Sequence, residues 1–320
     1  VLSGAGIAGR GALRAATAVA ALAAGTVQAR AILARLEAAA IVGFGGYPCV
    51  APVLAARLLR RRPAVILHEQ NAVLGRANRM LSRGADLLAL SHAGTTRVPA
   101  GLRMLVTGNP VRPAIMALAG HDYAAPADEI RLLVLGGSLG ARVFSDVVPP
   151  ALAALPQDVR ARLRVTQQCR AEDLDRVRAA YAASGIAAAL APFFADVAAL
   201  LAQAHLVIAR AGASTVAELG VVGRPAILVP LPGAIDDHQT ANARALTGSG
   251  GAWAIAQRGF TPPALADVLE QLLAAPERLV AAAKAAASCG EAHAAARLAD
   301  AVEQELARRR HHHMTQESIP

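Results

Sequence analysis

Leu206-Val207-Ile208-Ala209-Arg210-Ala211-Gly212-Ala213-Ser214-Thr215-Val216-Ala217-Glu218 is the stretch that decides the fold. The aliphatic run 206–209 reads as a buried strand, and Gly212 is expected to supply a turn that a side chain would obstruct. Ser214 and Thr215 stand where a helix opens and continues through Glu218 and Leu219. A helix start offers unpaired N–H groups and the positive end of aligned peptide dipoles, a combination suited to a diphosphate. Glu218 falls about one turn further in, within reach of the two hydroxyls of a ribose. The stretch therefore predicts a nucleotide site made by Ala213, Ser214, Thr215, Val216, Ala217 and Glu218. An ordinary strand-to-helix corner with a solvated glutamate stands beside it as the alternative.

The same alternation extends outward. Strand-length apolar runs occur at 40–43, 64–68, 87–90, 104–107, 131–135, 164–167, 206–209 and 226–229. Helical segments are expected between them, among them 51–61, 171–183 and 197–204. This pattern predicts an α/β protein with parallel sheets, helices on both faces and ligand loops at the carboxyl ends of the strands. A break follows Gly108-Asn109-Pro110-Val111-Arg112-Pro113, and the alternation restarts at Arg131. The expected division is a first domain over 1–112, a second over 113–293 and a polar tail over 308–320. A helix at about 294–307 is expected to pack back on the first domain.

Composition narrows the class of function. A hydrophobic share of 55% with 17% charged residues describes a globular chain rather than a disordered one. The formal charge of +9 suits anionic partners. Nucleic acid is not expected among them, because aromatics make up only 3% and supply few stacking platforms. Cys49, Cys169 and Cys289 are odd in number and not in metal spacing, which fits a reducing compartment. The Ala-rich run 15–24 reads as too short for a membrane span. Leu13, Val19, Leu22 and Val27, flanked by Arg10, Arg14 and Arg30, form either an apolar patch with a basic rim or a helix packed on the sheet.

Further constellations carry chemistry. Gly136-Gly137-Ser138-Leu139-Gly140-Ala141 follows the 131–135 strand, where paired glycines let backbone approach a ligand and the Ser138 hydroxyl can bond a phosphate oxygen. Arg112 offers a permanent positive charge for an anionic group, or is a solvated linker charge. His68-Glu69-Gln70-Asn71 ends the 64–68 strand, and His68 or Glu69 is either a general base or a group that holds the loop together. In Asp236-Asp237-His238-Gln239, the Gln239 amide can donate and accept without adding a charge, while the aspartates suit a helix cap. No metal site and no cofactor are expected.

Taken in order, these motifs, with Gly43-Phe44-Gly45-Gly46-Tyr47 and Asp236-Asp237-His238-Gln239-Thr240-Ala241-Asn242, resemble the MurG family of bacterial glycosyltransferases. The resemblance runs from about Gly4 to Ala307. It implies a GT-B fold, two Rossmann-like domains with a cleft between them, and inverting transfer of N-acetylglucosamine from UDP-N-acetylglucosamine to lipid I. It implies that Ser138, Asn71 and Gln239 contact the donor, that the backbone at Phe194 lies against uracil, and that Arg112 and Glu218 meet diphosphate and ribose. The Gly45-Gly46-Tyr47 turn is implied in the acceptor diphosphate region. A peripheral place on the cytoplasmic face of the bacterial inner membrane follows, with an anionic membrane surface and cell-wall synthesis proteins as partners. Family members open with a strand and a glycine-rich loop ending in His. The chain, which starts at Val1, is expected to lack that segment, leaving its first domain incomplete.

Overall fold

The computed structural model describes residues 12–137 and 140–317. The chain divides into two compact units, one running to Asn109 and taking in the chain from His293 onward, the other spanning Pro110–Ala292. Each is built on a parallel sheet, the α/β architecture that the alternating pattern predicts.

In the first unit the strands β1 (Ala40–Gly43), β2 (Ala64–Glu69), β3 (Leu87–Leu90) and β4 (Met104–Val106) lie in the order β1-β2-β3-β4. β2 and β3 are buried along their whole length, as central strands of a covered sheet must be. One face packs Val65, Leu67, Leu88 and Leu90 against Val50, Val53, Leu74 and Leu81. The other packs Ile66 and Ala89 against Leu298 and Ala301 of the helix Ala294–Glu317. Glu305 on that helix is buried and pairs with Arg103, Arg308 and Arg309.

The helix Ala12–Arg35 packs on Val50–Ala56 through a narrow stripe of Ala18, Leu22, Gly25, Ala29 and Leu33. Val19 and Val27 face outward. Its segment Thr17–Arg35 is long and apolar enough to cross a membrane by length and composition, which exceeds the short 15–24 run seen in the sequence. Arg10 and the side chains of Leu13 and Arg14 lie outside the described residues. The expected 51–61 helix ends at Ala56. Pro63 disfavours helical backbone just before it, and the chain must turn to enter β2 at Ala64.

In the second unit β5 (Ile130–Leu135), β6 (Leu163–Gln168), β7 (Ala187–Ala191), β8 (Leu206–Ala209), β9 (Ala226–Leu228) and β10 (Ala252–Ala254) lie in the order β10-β9-β8-β5-β6-β7. β7 and β10 were absent from the strands expected from sequence. Ala187-Ala188-Ala189-Leu190-Ala191 carries helix-favouring residues, and β7 exists because its backbone pairs with β6 at the sheet edge. The strand order reverses between β5 and β8, so this is the topological switch point, where the loops at the carboxyl ends separate to opposite faces. Leu135 pairs with Ala209 in the register, so the turns after both strands start side by side.

Candidate functional site

The turn after β5 needs glycine. A Cβ on Gly136 would come within 2.4 Å of the Ala141 nitrogen. Gly137 has φ +83°, in the left-handed region. Ser138 lies outside the described residues.

The turn after β8 is different. The helix begins at Ala213 with Gly212 as its cap residue, at φ −66° and ψ 147°. A Cβ there would meet only the Thr215 hydroxyl, at 3.9 Å, so the expectation that a side chain would obstruct this turn is corrected. Its backbone is ordinary extended chain. Helix hydrogen bonding starts from the Val216 N–H to the Gly212 carbonyl, and no side chain caps the end. The N–H groups of Ala213, Ser214 and Thr215 therefore have no intrahelical acceptor. Ala213 and Val216 bury their side chains, and of the two only Ala213 has a backbone N–H outside the helix hydrogen bonds. Ala217 is half-buried on the same helix.

One turn in, Glu218 is mostly buried and Arg112 reaches it from 106 residues away. The Arg112 Nε donates to Oε1 at 3.1 Å, and Nη2 forms an ion pair with the same oxygen at 3.0 Å. Burial pushes the Glu218 carboxyl above its usual range, and the Arg112 guanidinium opposes that shift. Arg112 itself stands just before the short helix Pro113–Met116 and is half-exposed. A guanidinium, a carboxylate and open amides are thus gathered at the switch point.

Neighbouring side chains hold this arrangement. Buried Asn242 donates to the Ala211 carbonyl at 3.2 Å. Arg210 donates to the Val229 carbonyl at 3.1 Å and to Gln257 Oε1 at 2.7 Å. Gln239 Oε1 accepts the Leu231 N–H at 2.9 Å, tying the loop after β9 to the helix His238–Thr247. Asp237 precedes that helix without capping its backbone; it accepts the Thr240 hydroxyl at 2.7 Å instead. That corrects the capping expectation for Asp237. Asp236 and Asp237 both hold positive φ, 57° and 53°, a conformation that costs free energy in non-glycine residues and recurs at ligand sites. Phe194 is half-buried on the loop after β7.

The first-unit residues form a closed network. Glu69, the last residue of β2, is buried and accepts four donors. These are the Asn71 N–H and Nδ2 on Oε1, both at 3.0 Å, and the Gly75 N–H and Asn78 Nδ2 on Oε2, at 2.8 and 2.9 Å. With both oxygens engaged, Glu69 holds the loop and the start of the helix Arg76–Ser82 together. His68 is buried and its Nε2 lies 3.0 Å from the Gly108 carbonyl. Burial depresses its pKa, so the ring is neutral at neutral pH and Nε2 donates. Its Nδ1 makes no hydrogen bond, and the Phe44 ring lies 5.3 Å away, centroid to centroid. Asn71 is brought to Glu69, and Gly45 and Gly46 carry positive φ in the turn after β1.

Sequence reasoning missed Asn78 and Gln168, and it quoted Arg210 and Asn242 without giving them a task. Each acts on backbone carbonyls or amides set by tertiary structure, and no local spacing marks such a role.

Family comparison agrees with this layout. Residues 131–304 match the glycosyltransferase family 28 C-terminal domain, and residues 2–89 match the N-terminal domain of the same family. The chain is 68% identical over 308 residues to the UDP-N-acetylglucosamine--N-acetylmuramyl-(pentapeptide) pyrophosphoryl-undecaprenol N-acetylglucosamine transferase of Granulibacter bethesdensis, covering 96% of this chain and 80% of the relative. It is 58% identical over 309 residues to the transferase of that name from Acidiphilium cryptum, covering 97% and 83%. The crystal structure of Acinetobacter baumannii MurG superposes with a TM-score of 0.74 at 34% identity, over 88% of this chain and 80% of that one. The chain belongs to glycosyltransferase family 28, in its MurG branch, and has the GT-B fold of that branch.

Proposed function

We propose that this chain transfers N-acetylglucosamine from UDP-N-acetylglucosamine to the C4 hydroxyl of the muramoyl sugar of lipid I, giving lipid II for peptidoglycan. The observation that carries the proposal is the grouping of Glu218, Arg112 and the open helix start 213–215 at the β5–β8 switch point. Glu218 accepts the ribose hydroxyls, and the amides of 213–215 hold the diphosphate. Arg112 stands beside them to meet the charge that grows as UDP departs. The acceptor oxygen attacks C1 from the face opposite UDP, its proton passes to a base, and the C1–O bond to UDP breaks with inversion. Positioning and electrostatic stabilisation account for most of the acceleration in such a displacement.

Further roles belong to the same reading. Ser138, Asn71 and Gln239 contact the donor, the Phe194 backbone lies against uracil, and His68, with one unbonded ring nitrogen, is the better-placed of the two base candidates. The protein acts peripherally at the cytoplasmic face of the inner membrane, and the outward Val19 and Val27 with Arg30 suit contact with anionic lipid.

Calorimetry with UDP-N-acetylglucosamine against an ADP-sugar, followed by transfer of labelled N-acetylglucosamine to a lipid I analogue, tests the proposal. Selective UDP-sugar binding and label in a lipid II product are expected. Equal affinity for both nucleotides would overturn it.

A further inference from the structure

Gln168 closes β6, the strand between β5 and β7, and its side chain is almost fully buried. Its amide makes three hydrogen bonds, all to backbone. Oε1 accepts the Gly136 N–H at 3.1 Å, and Nε2 donates to the Gly137 carbonyl at 2.9 Å and the Pro192 carbonyl at 3.1 Å. Gly136 and Gly137 begin the turn after β5, and Pro192 begins the loop after β7 that leads through Phe193 to Phe194. These segments are separated by β6, and the Gln168 side chain bonds to both.

The bonding fixes the group's chemistry. Two carbonyls and one N–H around the amide leave a single orientation for its oxygen and nitrogen. A carboxylate of the same size would keep the Gly136 bond and face two carbonyl oxygens without a proton. An apolar side chain of the same length would take this partner from the Gly136 N–H and the Pro192 carbonyl, and one of two donors from the Gly137 carbonyl. Gly137 is further committed, since its carbonyl also accepts the Gly140 N–H at 3.0 Å to close the turn. The position of the glycine turn and that of the loop carrying Phe194 are therefore both referred to one amide.

We propose that Gln168 is a positioning residue for donor recognition, setting the distance between the glycine turn that flanks the diphosphate and the loop whose backbone reads the base. The proposal rests on the reading of this unit as the UDP-sugar site. Gln168 touches no substrate. It fixes where the base edge meets the 192–194 backbone relative to where the glycine turn begins, so its loss relaxes selection of uracil as well as affinity.

Gln168→Met and Gln168→Glu test this, with UDP-N-acetylglucosamine and an ADP-sugar as probes and Tm measured alongside. Gln168→Met is expected to raise KM for UDP-N-acetylglucosamine about tenfold, in keeping with the loss of buried hydrogen bonds, while kcat stays within about twofold. ADP-sugar affinity should hold, so discrimination between the nucleotides narrows. Gln168→Glu should show the same defect at pH 8. Its ratio to wild type at equal pH should recover toward pH 5.5, because a protonated carboxyl regains one donor. A lowered Tm with wild-type KM and discrimination in either variant would reduce Gln168 to a structural role and overturn the proposal. If Gln168→Met does not fold, the pH-dependent KM ratio of Gln168→Glu decides, since that variant keeps volume and the Gly136 bond. Wild-type protein that fails to select UDP over ADP would remove the donor reading and this inference together. Selective wild type, a weakened Glu218→Ala and unchanged Gln168 variants would overturn this inference alone.

Discussion

The loop after β2 and the turn after β8 occupy equivalent places, each at the carboxyl end of a central parallel strand, yet they dispose of their polar groups in opposite ways. After β2, the Glu69 carboxylate is buried and takes four donors from its own loop and the helix that follows it. After β8, the helix start leaves three amides without intrahelical acceptors, and the nearby Glu218 meets one guanidinium on one oxygen. A carboxylate whose lone pairs are filled by neighbouring amides, backbone and side-chain, specifies conformation. One with an oxygen and a raised pKa to spare is able to exchange partners with a ligand. The two glutamates look alike in sequence, each just past or just inside an element boundary, and only their neighbours separate the tasks.

The largest expected effect breaks the first loop. Glu69→Ala leaves four donors at a buried site and should lower unfolding free energy by about 4 kcal/mol, measured by urea denaturation. A loss under about 1 kcal/mol would mean the network is slack and the contrast misplaced.

Next comes the mirror experiment. Glu218→Ala should weaken UDP-N-acetylglucosamine binding by about tenfold or more in calorimetry, through lost ribose hydrogen bonds to a charged acceptor. Its cost in stability should be below about 1 kcal/mol, because the partner Arg112 is half-exposed and readily solvated. Donor affinity untouched by this change would remove Glu218 from the site.

A pH series sharpens the comparison. The Glu218 carboxyl titrates above the usual 4.5, burial raising it and Arg112 restraining the rise. Donor affinity should therefore be full well above that value and fall as acidification neutralises the carboxylate. In Arg112→Ala the restraint is gone, and the acid limb should move to higher pH. An unmoved limb would show that another group governs it.

The smallest expected effect concerns His68. Burial lowers its folded-state pKa from 6.5, so the unfolded chain binds the proton more readily. Its contribution to stability is complete above about pH 6.5 and is lost as pH falls from there toward the depressed folded value. His68→Gln should flatten part of that slope, leaving the shares of His92 and His205, whose pKa values burial also lowers. Identical slopes in denaturation between pH 5 and 7 would show that His68 is not charged on unfolding.

Much of this was legible because it is local. Runs such as 87–90 and 206–209 are short, apolar and bounded by turn residues, and both are strands with the bounds the pattern suggests. The spacing from Gly212 to Glu218 places the carboxylate about one turn inside its helix whatever the rest of the chain does. Tertiary structure decided the remainder. β7 is a strand against the preference of its alanines because β6 offers an edge. Gly212 sits in backbone that another residue could adopt, whereas Gly136 is required by the approach of Ala141, which sequence alone does not reveal. Glu69 became a loop anchor when Asn78, nine residues on, folded back to it. Arg112 and Glu218 met across 106 residues. Sequence determined where elements start and what chemistry each carries, because backbone preference and side-chain identity act over a few residues. Which of those groups are filled and which stay open was decided by packing, because a hydrogen-bond partner is chosen by distance in space and not by distance along the chain.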